Sequence, residues 1–129
     1  MDPKKMLASL RRRLEAEKEK HYKLFLKLRK HIPAIVEIGA AFNVEQIVLF
    51  GSITDKEHFS EISDIDIGLI GIKAEEFFKL YSQLTERIEW PIDLVDLDED
   101  PKFKAMILKK GEVIYDRNEE IHGSNTGIG

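Results

Sequence analysis

Leu49-Phe50-Gly51-Ser52, a spacer of eleven residues, then Asp64-Ile65-Asp66-Ile67-Gly68-Leu69-Ile70 is the stretch on which the fold turns. Val48 to Phe50, preceded by Gln46 and Ile47, reads as a short buried strand, β-branched and apolar, ended by glycine. Asp64 to Ile70 reads as a second strand with two carboxylates at its start. Side chains alternate across a strand, so Asp64 and Asp66 share one face while Ile65 and Ile67 point to the other. Two carboxylates roughly 7 Å apart along one face repel each other unless a cation or a proton lies between them. A hard divalent cation takes oxygen ligands of this kind and completes its shell with phosphate oxygens and water. The turn at Gly51-Ser52 offers backbone N–H groups and a hydroxyl, which suit a phosphate.

A third carboxylate is then expected on a neighbouring strand. Ile92-Asp93-Leu94-Val95-Asp96-Leu97, following Trp90-Pro91, supplies it. Asp93 and Asp96 fall on opposite faces because their separation is odd, so only one can join the pair. Asp93, nearer the strand start, is the candidate.

Taken in order, Gly51-Ser52, the spacer, Asp64-x-Asp66 and a lone acid on a later strand resemble the nucleotidyltransferase superfamily of the DNA polymerase β type. The short chain looks like its minimal nucleotidyltransferase branch, and the resemblance covers about residues 45–116. The spacer, Ile53 to Ser63, is one residue longer than is usual there, in a loop where insertion costs little. The resemblance implies an α/β (α+β) fold with a small mixed sheet of about four strands. It implies ATP as substrate and Mg2+, or Mn2+, in a two-metal site. Asp64 and Asp66 would ligate both metals; Asp93 would ligate the catalytic one and take the acceptor proton; Gly51 and Ser52 would hold the β- and γ-phosphates. The resemblance also implies a partner: minimal members of the family often pair with HEPN-domain toxins as antitoxins, and some transfer AMP to a tyrosine hydroxyl of that partner.

Composition narrows the class further. The chain has 129 residues, 43% hydrophobic and 34% charged, which suits a soluble domain with a real core. There is no cysteine, so disulfides and thiolate metal sites are excluded, and a reducing cytoplasm is the expected setting. No apolar run approaches a membrane span, and the first residues lack the apolar core of a secretory signal. The net charge of -4 hides an asymmetry. Residues 1–31 hold 11 Lys/Arg against 4 Asp/Glu, a balance of +7, while residues 32–129 hold 9 against 20, a balance of -11. The acidic portion suits a metal site and argues against non-specific nucleic-acid binding there.

Three regions are expected: a charged N-terminal helical arm over 1–31, a nucleotidyltransferase domain over 32–116, and a flexible tail over 117–129. Leu7, Leu10, Leu14, Leu24 and Leu28, with His21, form a near-heptad interrupted by Glu17. Three readings of this arm stand open. It packs its ends on the domain, it pairs with another chain (a second copy included), or it contacts nucleic acid through Arg11-Arg12-Arg13. No aromatic interleaving supports the last. A helix is expected over Ile32 to Phe42, capped by Asn43, and another over Ala74 to Glu89 with Phe77, Phe78, Tyr81, Leu84 and Ile88 in its core stripe. Asp100-Pro101 starts a helix whose apolar face is Phe103, Met106, Ile107 and Leu108; Lys109-Lys110-Gly111 closes it, and Glu112 to Asp116 is a last strand. His58 and Glu61 read as loop residues before they read as ligands.

The expected function is metal-dependent transfer of a nucleoside monophosphate to a hydroxyl. So small a chain leaves no room for a large substrate domain, which points to a protein partner. The alternatives are a non-catalytic subunit that neutralises a partner by covering it, and a small-molecule adenylyltransferase subunit.

Overall fold

A computed structural model describes residues 2–119. The order is α1 (Pro3–Arg29), α2 (Ile32–Ala41), β1 (Gln46–Phe50), β2 (Ile65–Ile70), α3 (Phe77–Arg87), β3 (Ile92–Asp96), α4 (Pro101–Lys110) and β4 (Glu112–Asp116). Short 3-10 turns follow β1 (Gly51–Thr54), precede α3 (Ala74–Glu76) and follow β3 (Leu97–Glu99). The four strands form one mixed sheet, ordered β3-β2-β1-β4. β1 runs antiparallel to β2 and β4, and β2 runs parallel to β3 across the α3 crossover. The fold class expected from the sequence is the one observed.

The sheet buries both faces, unequally. Ile47, Leu49, Ile65, Ile67, Leu69 and Ile92 alternate onto one face and join the end of α1, α2 and α3 in the main core. Val48, Ile70 and Val95 point the other way, onto a smaller cluster with Leu97 and Ile107. By alternation Phe50, Asp66 and Asp93 share that second face. α4 covers it at one end only, with Phe103 edge-on to Phe50 at 5.8 Å, and the acids lie beyond its cover.

Local chemistry explains the helix boundaries. Asp2 caps α1 by accepting from Lys4 N, with Pro3 in the first turn. α2 ends at Ala41 with Phe42 as its C-cap, and Asn43 beyond it has a φ of 59°, the left-handed conformation asparagine tolerates. Asp100 caps α4 by accepting from Phe103 N, Lys109 and Lys110 lie in its last turn, and Gly111 follows.

Two stripes differ from expectation. In α3 the buried positions are Leu80 and Leu84, with Phe77 and Ile88 packed on the same core. Phe78 is 76% exposed and Tyr81 lies at the surface. Leu80 and Tyr81 stand three and four residues after Phe77, so periodicity admits either, and packing takes the aliphatic one. In α4, Met106 is exposed while Ile107 is buried. Arg117, placed in the expected tail, donates through its backbone N–H to Glu45 O and through its guanidinium to Asn43. Residues 120–129 of that tail lie outside the described residues.

α1 is two things in one helix. Phe25 and Leu28 are buried in the main core. From Pro3 to Lys20 every side chain except Ser9 is exposed. Among the described residues no helix is long and apolar enough to cross a membrane. Leu84→Ala is expected to cost about 2–5 kcal/mol by cavity formation, and Leu10→Ala on the exposed half to stay within about 0.5 kcal/mol. Urea denaturation followed by circular dichroism measures both.

Candidate active site

The site is built on one row across the sheet. Phe50 pairs with Asp66 across β1 and β2, and Asp66 pairs with Asp93 across β2 and β3. Register partners on neighbouring strands stand about 5 Å apart and point to the same side. The chain leaves β1 immediately after Phe50 into Gly51-Ser52, so the turn, Asp66 and Asp93 are consecutive across the sheet. Asp64 stands two residues before Asp66, just outside β2, and is exposed, as is Asp93.

Gly51 has a reason to be glycine. Its φ is +70°, and a Cβ there would overlap the Asp66 carboxylate. The carboxylate therefore lies directly against the backbone of the turn. Ser52, half-buried in the same turn, makes no side-chain hydrogen bond among the described residues. Its hydroxyl and the turn backbone are the phosphate-binding candidates.

Asp66 carries the electrostatic strain of the row. Burial pushes its carboxyl up from the ordinary 3.8 to about 6, and the negative charges of Asp93 and then Asp64 add to the shift. All three sequence-predicted acids thus act on one point. Among the described residues no three His, Cys, Asp or Glu side chains are already gathered tightly enough to chelate an ion. Asp64 and Asp93 are exposed and Asp66 is half-buried. The donor set fits a hard divalent cation: carboxylate oxygens only, no sulfur and no imidazole.

The competing acids are otherwise employed. Asp96 accepts from Asp98 N, and Asp98 accepts from Gly71 N and from Lys104 Nζ at 2.7 Å. His58 is exposed and paired with Asp55, and Glu61 pairs with Lys20 at 3.4 Å and lies 3.9 Å from His21. Neither His58 nor Glu61 is drawn to the acid row.

Two positioning residues escaped the sequence reading. Trp90 Nε1 donates to Ser63 O at 2.7 Å, and Ile65 N donates to Pro91 O, so the segment before β3 fixes the residue before Asp64 and the start of β2. Arg29 donates to Ile53 O at 2.9 Å and pairs with Glu112 at 2.6 Å, tying the end of α1 to the Gly51-Ser52 turn and to β4. The available signals were that Trp90 is the chain's one tryptophan and that Arg29 follows the buried Leu28.

The raised Asp66 value sets a pH dependence. Its folded state holds the proton more tightly than the unfolded chain, so the native protein loses stability as pH rises from about 4 through about 6. Asp66→Asn removes that loss. Without divalent cation, the variant is expected to be more stable than the parent at pH 7.5 by on the order of 1 kcal/mol, solvent screening of this half-exposed group allowed for, a Tm gain of several degrees. The gain should vanish at pH 3.5. Thermal scans against pH in a chelating buffer measure it; equal Tm values at pH 7.5 would contradict the crowding of the three acids.

The family model for polymerase β nucleotidyltransferases matches residues 34–120. One similar solved structure is a toxin–antitoxin complex with AMP-PNP, at TM-score 0.56 and 20% identity, over 69% of this chain and 76% of that one. Another is a protein of Sulfolobus solfataricus, provisionally assigned as a nucleotidyltransferase, at TM-score 0.47 and 25% identity, over 79% of this chain and 89% of that one. No protein of curated function matches the sequence. With its strand order, its glycine-serine turn beside a row of acids, and a family match over most of its length, this chain belongs to the polymerase β nucleotidyltransferase family.

Proposed function

We propose that the chain transfers AMP from ATP to a hydroxyl of a partner protein, a tyrosine of a HEPN-domain toxin, and so acts as an antitoxin in the cytoplasm. The observation that supports the reading is the Gly51-Ser52 turn lying against the Asp66 carboxylate, with Asp93 the register partner of Asp66 on the next strand. The family supplies the reaction class. A fold neighbour crystallised as a toxin–antitoxin complex with AMP-PNP supports a protein partner and an adenine nucleotide.

In this reading the Gly51 backbone N–H and the Ser52 hydroxyl hold the β- and γ-phosphates. Asp64, Asp66 and Asp93 would hold magnesium or manganese, which when bound neutralises phosphate charge and aligns the attacking and leaving oxygens. The acceptor oxygen forms a bond to the α-phosphorus, the α–β bridging P–O bond breaks, and pyrophosphate leaves. Asp93, exposed at the edge of the row, takes the acceptor proton.

The test is transfer from α-labelled ATP with Mg2+ to a purified HEPN partner. Label is expected on a partner tyrosine, and Asp64→Asn and Asp93→Asn are each expected to lower the rate by at least about a hundredfold with the protein complex intact. Neutralisation of the partner that survives Asp64→Asn undiminished would instead establish a binding subunit that works by covering the toxin.

A further inference from the structure

The exposed half of α1 is the largest feature the catalytic reading does not use. Leu7, Leu10 and Leu14, 63%, 52% and 54% exposed, continue outward the stripe that Leu24 and Leu28 bury in the body, and Met6, 58% exposed, lies beside them. The steps of three and four residues between them are those of a coiled-coil seam. The question is what covers it.

Charge along the edges decides. On the heptad that places these leucines in the seam, one flank carries Lys4, Arg11 and Lys18 and the other carries Met6, Arg13 and Lys20. Five of these six flanking positions are cations and none is an acid. Pairing with a second copy would set like charges against each other whichever way the helices ran. The acids Glu15 and Glu19 sit on the outer side, and Glu19 is engaged with Lys23. Among the described residues Lys4, Arg11, Arg13 and Lys18 form no ion pair, so their charge is available to a partner. Glu17 falls in the seam itself, where a cation opposite would satisfy it.

We propose that this arm docks an acidic amphipathic helix of another protein: leucine-like residues on the seam, Glu or Asp on both edges, and one Lys or Arg facing Glu17. The root of the arm is bonded to the loop joining the two halves of the acid site. Lys20 pairs with Glu61, and Lys56 lies over the Tyr22 ring at 5.7 Å. A helix held on the arm is thereby fastened beside the loop that leads from Ser52 to Asp64. The proposal is independent of the transfer chemistry.

The test uses the full chain and two designed three-heptad peptides with leucine seams and one lysine opposite Glu17. One has glutamate and the other lysine at the edge positions. Fluorescence anisotropy should give a Kd at least tenfold lower for the glutamate peptide, weakening with added salt. Leu10→Ser and the triple change Lys4→Glu, Arg11→Glu, Arg13→Glu should each abolish that preference, while Asp66→Asn should bind as the parent does. In source cells, a photo-crosslinking residue replacing Leu10 should capture a segment with that acidic pattern. Equal binding of both peptides would overturn the proposal. So would adducts only to the chain itself, to nucleic acid or to lipid, or none, or a dimer in sedimentation that Leu10→Ser dissolves.

Discussion

A half-buried carboxylate with two more acids beside it is the constraint around which this molecule is arranged. Asp66 is half-buried, adjoins Asp93 on the next strand, and feels Asp64 two residues earlier. Like charges in a partly desolvated place oppose folding, so something else must hold them there. The sheet does. β2 is the second strand of four, paired on both sides, with Ile65, Ile67 and Leu69 buried beneath it. The apolar face of the strand supplies the stability that its acidic end gives up, a familiar exchange at functional sites.

The same constraint reaches the neighbouring loops. Gly51 takes a φ of +70° that favours glycine, and the Asp66 carboxylate lies where a Cβ would stand. The turn it starts is tied to α1 through Arg29, and the residue before Asp64 is tied to the segment before β3 through Trp90. Each bond joins parts far apart in the chain, and each limits how far the turn or the acids can drift from the other. On the same face α4 sets its aromatic Phe103 edge-on to Phe50, while Asp64 and Asp93 remain exposed.

α1 extends the logic outward. Its inner end belongs to the core and to the turn, while its outer end shows leucines and unpaired cations to solvent. A continuous helix joins the two, so whatever binds the outer half is held at a set distance from the Gly51-Ser52 turn.

The sequence by itself determined what local chemistry can settle. The Gly51-Ser52 turn, the common face of Asp64 and Asp66, the opposed faces of Asp93 and Asp96, four strands, and the caps at Asp100 and Asn43 all follow from periodicity and residue type. The resemblance to the family is a separate matter, carried by Gly51-Ser52, Asp64-x-Asp66 and Asp93 taken in order. What the chain could not reveal is which distant segments meet. Only the tertiary structure put Asp93 beside Asp66 in register, gave Trp90 and Arg29 their partners, and chose Leu80 over Tyr81 and Ile107 over Met106 for burial. The physical reason is that a strand's alternation is a property of its own backbone. The register between strands, and the side of a helix that is covered, depend on the summed packing of residues far away in sequence, which no local pattern encodes.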